Sequence, residues 1–585
     1  MSLDVARLIA FSGIMATETQ ISVASSNISN ADTAGYTKKT ADQTTSVTGG
    51  VGTGVTITGI SSNVDKLLLK SLISATSDLG SADTTNNYMT QLEQLFGSAS
   101  SSGTSTSGTS VANSLASLES ALSSLASSPS SVSLQSAVVS ALDDVASQLR
   151  DTSQGIQTLR SNADQDIGSS VTSINSDLKQ IADLNVQIRK MGAAGQSTAD
   201  LEDQRNSALK DLSSYMNVSY YTASSGDLQV YTSSGRALVD SSAHTLSYST
   251  SANVTASTSY SSGGFSGITV DGVDITSQIT SGKIGALITL RDQTLPAEQS
   301  QLDQLATQLK STLNAITNGA SSVPAPTSLT GTASVTSTDA LSATGSVRIA
   351  VSDQSGNLVS YQDLDLSSYS TVGDLVTALN GISGVSASID SSGHLVIGST
   401  TSGDGVAIND MTSSVSGVGF SDYFGMNDLV TGTGASDFAV RSSILSGSSG
   451  LPTDTLDGSA TLTTGSQVLT SGSATVINSI YNALTGSRSF SAAGGLSATT
   501  GSFANYAAAI VANVASKASQ ASSAYTAKTT AQSTYASSLS SETGVNIDEE
   551  TARISALQNK YAAASQLISA VNSMFSSLIT AMQSG

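Results

Sequence analysis

The sequence predicts an α+β protein, with terminal coiled-coil and helical-bundle domains built from both chain ends and two β-rich outer domains inserted between them. Three observations predict it. Apolar residues recur every seven positions at both ends of the 585-residue chain. Long stretches of helical period lie inside those ends, and two blocks of alternating residues with Ser-Gly and Asp-Gly turns interrupt them. At roughly 150 residues per domain, the length suggests about four domains.

At the N-terminus Ile14, Ile21 and Ile28 recur every seven residues, with small Ala10, Thr17, Ala24 and Ala31 between them. At the C-terminus Ile554, Tyr561, Ile568, Phe575 and Met582 form one such series, and Leu557, Ala564, Val571 and Leu578 form its companion. A paired stripe of this length is a coiled-coil signature. The small-residue N-terminal seam cannot hold a helix alone, so the C-terminal stripe is its expected partner in a domain of residues 1–40 plus 545–585. The alternative is that each end packs on its own globular domain, as amphipathic helices commonly do.

Between the ends, Val111, Leu115, Leu118, Leu122 and Leu125 step by three and four up to Pro129. Val138, Leu142, Val145 and Leu149 follow, then Ile167 to Ile188, closed near Gly192 and Gly195. Asp200 is the expected N-cap of a helix through Leu201, Leu209 and Leu212. From Val218 the chain alternates in strand fashion, and a hairpin is expected about Asp271-Gly272. Helical period returns over Ala286–Leu313, and VPAP at 323–326 reads as a linker. Short strands fill about 327–470, and helix resumes from about Ala474 to Leu539, interrupted at Gly494-Gly495. The expected helical domain takes 41–216, 286–322 and 471–544, the first β insertion 217–285 and the second 323–470.

Composition narrows the function. Charged residues are 11% of the chain, against about 25% in ordinary soluble proteins. A net charge of −21 argues against nucleic acid or an anionic membrane as partner, since phosphate recognition needs concentrated Lys and Arg. Cysteine is absent, which removes disulfides, thiolate chemistry and sulfur-bound metal. The first twenty residues lack the layout of a Sec signal, and no apolar run approaches the 18 or so residues of a membrane helix, so no membrane insertion is expected.

The residues of chemistry are scattered. His244 and His394, the two histidines, lie in strand-like Ser/Gly-rich surroundings without clustered carboxylates. GGVGTGV at 49–55 lacks the lysine and spacing of a phosphate loop and reads as a glycine turn. The Asp/Gly turns at 271–274 and 403–405 lack the ligand pattern of a calcium loop. Asp548-Glu549-Glu550 precedes the C-terminal stripe, where acidic residues offset the helix dipole, with Asp548 expected to cap and Glu550 to face solvent. No catalytic residue, metal or cofactor is expected, and the chain does not read as an enzyme.

Four stretches carry a resemblance. Residues 24–37, running from Ala24 through Asn27, Ile28, Asn30 and Gly35-Tyr36 to Thr37, resemble the N-terminal signature of bacterial flagellar axial proteins. The stretch Gly544 to Glu550 is similar to the turn opening the last helix in the family of the first hook-associated protein, the hook–filament junction proteins. Leu201 to Arg205 with Leu209, Leu212 and Val218 is similar to that family's helix and exit strand. Ser281 to Leu287, including Gly285, with Arg291-Asp292 and Leu295-Pro296, resembles its helix re-entry. These lie in matching order over about 1–320 and 475–585, while 325–470 shows no match. Lys38-Lys39 departs from the more usual Arg-Gln, and Asn318 stands where His is often found.

The resemblance implies a structural protein that polymerises at the hook–filament junction and joins hook to filament, secreted through the flagellar type III export apparatus. Implied partners are the hook protein, the second hook-associated junction protein, further copies of itself in a ring, and an export chaperone. Implied self-assembly residues are Ile14, Ile21, Asn27, Ile28, Asn30, Gly35 and Tyr36 at one end. At the other, Ile554, Leu557, Tyr561, Ile568, Val571, Phe575 and Leu578 would serve assembly and the chaperone. Gly544, Asp548, Arg205 and Gly285 are the expected structural turns. With a single stripe each, the two ends are expected to stay disordered until neighbours arrive. Another axial protein (hook, rod or second junction protein) is the nearest alternative. A secreted adhesin using 325–470 as its binding module is a more distant one.

Overall fold

A computed structural model describes residues 3–97 and 110–583. Its helices are α1 (Leu3–Ser29), α2 (Lys66–Phe96), α3 (Val111–Ser127), α4 (Val132–Ala193), α5 (Ala199–Tyr215), α6 (Gly282–Thr289), α7 (Leu295–Thr317), α8 (Val372–Leu379), α9 (Phe420–Phe424), α10 (Ser442–Leu445), α11 (Thr475–Thr485), α12 (Phe503–Thr543) and α13 (Ile547–Gln583). The fold is α+β, as expected. Most of α2 to α7, α11 and α12 share one apolar core, in which the expected rows Leu115–Leu125, Val138–Leu149 and Ile167–Ile181 are buried. The 62-residue α4 is its axis, roughly 90 Å long at 1.5 Å per residue.

Two strands, β1 (Lys39–Thr48) and β2 (Val51–Ser62), pair antiparallel as a ribbon between α1 and α2. They fall in the stretch expected to be part of the helical domain. The ribbon instead lies on α1, where Ser12 Oγ accepts from Val55 N at 3.1 Å. At Gly54 the backbone approaches α1 so closely that a Cβ would sit 2.1 Å from Ser12 Oγ.

The first β insertion holds two three-stranded sheets. One is β3 (Ser219–Thr222), β4 (Leu228–Tyr231) and β5 (Ala237–Val239); the other is β6 (Leu246–Ser247), β7 (Thr269–Val270) and β8 (Val273–Asp274). Asparagines on α4 fasten both. Asn185 takes the N–H and C=O of Leu228, each at 2.9 Å. Asn175 does the same for Leu246, at 2.7 and 2.9 Å. A third fastening is ionic. Arg291, fully buried in the π-helical turn between α6 and α7, pairs with buried Asp164 at 3.0 Å, and both contact the Tyr248 hydroxyl. Arg160 beside it donates to the carbonyls of Arg291, Thr255 and Thr258, while Arg291 stacks on Phe265.

The second insertion is not one unit. Residues from Leu329 to Met426 enclose their own core, and a smaller cluster joins Ala325, Ala350 and Leu358 to Leu456 and Leu469. Leu429, Val430, Phe438, Val440 and Ile444, expected in the same outer block 323–470, belong to the main helical core. The reason is polar. Asn314 on α7 clamps Val430 through its N–H at 3.1 Å and C=O at 2.8 Å, and Arg150 on α4 donates to Phe438 O at 2.6 Å.

Three local expectations are corrected. Thr198, not Asp200, holds the N-cap position of α5. Gly285 lies within α6 rather than at a turn; a Cβ there would stand 2.8 Å from the Thr280 carbonyl carbon. Arg205 lies in α5, where its buried guanidinium braces Asn185 Oδ1 at 2.9 Å and Gly226 O at 2.8 Å.

One half-buried acid works against the fold. Asp177 on α4 has a carboxylate oxygen that is buried and lacks a hydrogen-bond partner. Burial, with the charge of Asp211 on α5, pushes its pKa up to about 6. Ionised Asp177 therefore destabilises the native state at neutral pH. The cost is absent below about 3.8, grows as pH rises towards about 6, and is constant above. Asp177→Asn is expected to stabilise the protein by about 1 kcal/mol at pH 8, allowing for partial exposure, and to lose that gain at pH 4. Thermal unfolding at both pH values checks this; a lower Tm than wild type at pH 8 would contradict it.

Candidate functional site

The two chain ends meet as an antiparallel pair, with Asn27 near the end of α1 touching Glu550 in the first turn of α13. On α1 the buried residues are the small ones, Ala10, Ala16, Thr17, Val23, Ala24 and Asn27. On α13 they are Glu550, Leu557 and Val571, with Ala564 half-buried between the last two. The seven-residue seam that closes is thus Ala10, Thr17 and Ala24 against Leu557, Ala564 and Val571. Ile14, Ile21 and Ile28, expected to lead the stripe, are half-buried at its flank, as are Ile554, Ile568 and Phe575. Small residues let the helix backbones approach, which pushes the larger side chains to the edge of the contact.

The expected disorder of the two ends is corrected by this pairing, since each end is helical and covers the other. The cover is one-sided. Leu8, Phe11 and Met15 remain exposed on α1, and Tyr561, Leu567, Met574, Leu578, Ile579 and Met582 on α13. The two successive helices α12 and α13, from Phe503 to Gln583, also hold a window long and apolar enough to cross a membrane by length and composition, contrary to the expectation from apolar runs alone. About 6% of that window is buried, so the apolar surface faces outward from this chain.

Beneath the pair lies a polar joint. Gly35 takes φ +80°, turning the chain out of α1. Asn27, fully buried, then clamps β1 at its first residue, accepting from Lys39 N and donating to Lys39 O, both at 2.9 Å. Its Oδ1 also accepts from Tyr36 Oη at 2.9 Å, and its Nδ2 donates to Glu550 Oε2 at 3.1 Å. The Tyr36 hydroxyl turns inward onto Asn27, and burial raises its pKa. Asn30 binds back to Ser26 O at 2.9 Å within the end of α1.

The two lysines that depart from the family pattern carry the rest of the joint. Lys39 is buried and its ammonium pairs with Asp203 on α5, donating also to Ala199 O at 3.1 Å and Thr37 Oγ1 at 3.2 Å. Asp203 further accepts from Thr37 N at 3.0 Å and Thr37 Oγ1 at 2.7 Å. Lys38 reaches the other way, to Glu549 at 2.7 Å and Glu550 at 3.3 Å, and the bond to Glu549 raises its pKa. Its backbone N–H donates to Thr543 O at 2.7 Å, where α12 ends.

Two expectations about the acidic triplet change. Asn546, rather than Asp548, caps α13, accepting from the N–H groups of Asp548 at 3.0 Å and Glu549 at 3.2 Å. Glu550 does not face solvent. It is fully buried, held by Asn27, Lys38 and, at 3.6 Å, Arg553. Gly544, in an extended conformation, ends α12 where a Cβ would meet Ser540 O at 2.3 Å. The sequence reading overlooked Lys39, Asp203 and Asn546; an adjacent lysine pair in a lysine-poor chain was the available signal.

Family comparisons bear on these same regions. Residues 89–323 match the model of the flagellar hook-associated protein FlgK helical domain. Residues 8–37 match that of the flagella basal body rod protein, and 537–581 that of the C-terminal region of the rod protein set FlgEFG. Over residues 89–323 the chain carries the helical domain of the FlgK hook-associated proteins, and its two ends are similar to flagellar rod proteins. Flagellar hook-associated protein 1 of Salmonella typhimurium is 26% identical over 316 residues, covering 52% of this chain and 55% of that relative. Its namesake in Escherichia coli K12 is 25% identical over 305 residues, covering 51% and 54%. The chain thus spans about half the length of the curated relatives it matches. The solved hook junction protein FlgK of Burkholderia pseudomallei aligns at TM-score 0.47 and 18% identity, over 80% of this chain and 98% of that one. Residues 346–401 match the flagellin hook IN motif, so the outer region read as unmatched does carry a family segment.

Proposed function

We propose that this chain is a structural subunit of the bacterial flagellum that polymerises at the hook–filament junction and joins hook to filament. The observation that carries the reading is the pairing of the two chain ends, 8–37 and 537–581, through α1 and α13. It leaves an apolar face on each helix that only neighbouring subunits or an export partner would cover. In this reading Leu8, Phe11 and Met15, with Tyr561, Leu578 and Met582, contact further copies of the chain, the hook protein below and the second hook-associated protein above. Before assembly the same α13 surface binds an export chaperone, and the chain leaves the cell through the flagellar type III apparatus. The domains 1–40 plus 545–585, the helical body, and the two outer insertions then run from the centre of the tube outward. The Ser/Thr-rich outer surfaces keep the polymer soluble.

The test is genetic and microscopic. Deleting the gene is expected to leave cells with hooks and no filaments, with flagellin lost to the medium, and a plasmid copy is expected to restore filaments. Normal filaments on the deletion strain would reject the reading. Loss of residues 545–585 is expected to abolish chaperone binding; unchanged affinity would remove the chaperone from the list of partners.

A further inference from the structure

We propose that His244 is a proton-operated staple between the two small sheets of the first β insertion, closed when its ring carries two protons and released as pH rises. His244 follows β5 through the turn Asp240–Ser242, and its backbone N–H donates to Leu238 O at 2.9 Å. Its ring lies between two carboxylates. Nδ1 is 2.9 Å from Asp271 Oδ2, in the turn between β7 and β8, and Nε2 is 3.2 Å from Asp240 Oδ2.

A neutral imidazole has one N–H, so one of these contacts would set a nitrogen lone pair against a carboxylate. The imidazolium satisfies both. The Nε2 contact is a charge pair rather than an aligned hydrogen bond, so it depends on the ring's charge. The other charged and titratable groups at this spot are few. Arg236 stands 3.7 Å from the same Asp271 oxygen and donates to Val270 O at 3.1 Å, and Tyr231 feels the charge of Asp240.

The staple sits where backbone pairing is thin and the chain is strained. The β6–β7 ladder has two residue pairs, Leu246 with Val270 and Ser247 with Thr269. Asp271 holds a left-handed φ of +50°, which a non-glycine residue adopts at a cost. Burial alone pulls the His244 pKa down, but Asp240 and Asp271 together hold it above its ordinary 6.5. For a group raised in this way the contribution is complete below the ordinary value and is lost as pH rises through the folded one.

The sequence has two histidines, so His394→Gln leaves a single imidazole to follow by NMR. The expected titration midpoint of His244 lies above 6.5. Hydrogen exchange in 236–246 and 268–274, corrected for the intrinsic pH effect, is expected to quicken about tenfold between pH 6 and pH 9. His244→Gln is expected to show no such quickening, with exchange in α4 unchanged. A midpoint at or below 6.5, or the same quickening in His244→Gln, overturns the proposal.

Discussion

Asp203→Leu is expected to undock the β1–β2 ribbon from α5 while leaving the helical body folded. Lys39 is buried, and its ammonium has Asp203 as its buried carboxylate partner. Removing one member of a buried pair strands the other charge, a loss of about 3–5 kcal/mol. Asp200 stands 3.7 Å from the same ammonium but is exposed, so it recovers little of that loss. Thr37 would lose both acceptors of its N–H and hydroxyl at the same time. Hydrogen exchange over 36–48 should rise by orders of magnitude, with α4 and α7 unaffected. The double variant Lys39→Met, Asp203→Leu removes both charges, and it should regain much of the protection that the single variant loses. Wild-type exchange in the single variant would show that the ion pair does not hold the joint.

The division of labour between apolar and polar residues explains what the sequence revealed. Periodicity located the long helices and both terminal stripes, because burial of one helical face writes itself into spacing. It also pointed to the C-terminal stripe as the partner of the small-residue N-terminal seam, and Leu557 and Val571 of that stripe are buried. It ranked the isoleucines above the small residues, since a hydrophobic pattern weights size whereas close packing of two backbones rewards its absence. Tertiary fastening was not legible. Asn27, Asn175, Asn185 and Asn314 each clamp the N–H and C=O of a single residue in a strand or extended segment, from the apolar face of a helix.

An amide matches the backbone's donor and acceptor in one side chain, so it can terminate a strand edge on a helix without leaving a buried group unpaired. In sequence each of these is one polar residue inside an apolar row, which also reads as a helix position facing solvent. The same ambiguity hid Glu550. An acidic residue in a first turn satisfies the helix dipole whether it is exposed or buried, and only the position of Lys38 and Asn27 decides between them. The split of the second insertion was equally invisible, because short strands after Leu429 look the same whether they pack outward or onto α7.

Gly35→Val is expected to abolish the joining of hook to filament while leaving the body of the protein intact. The turn at Gly35 uses φ +80°, where a β-branched residue is strained by roughly 1–2 kcal/mol or more. Space is short as well, since a Cβ at this position would stand 2.7 Å from Ser207 Oγ on α5. Overpacking of this kind typically adds about 1–3 kcal/mol. Ser207 could rotate away, but the backbone strain would remain. The two effects separate in Gly35→Ala with Ser207→Gly, which removes the contact and keeps the strain. That variant should fall between wild type and Gly35→Val in exchange protection of 36–48. The turn sets the path from α1 to Asn27's clamp on Lys39, so moving it misplaces Tyr36, Lys38 and Lys39 together. The main core is built from other elements, so its thermal unfolding should be unchanged. Cells carrying Gly35→Val at native expression should secrete the protein yet lack filaments and fail to swim. Wild-type swimming would show that the geometry of this turn is not what the assembled junction depends on.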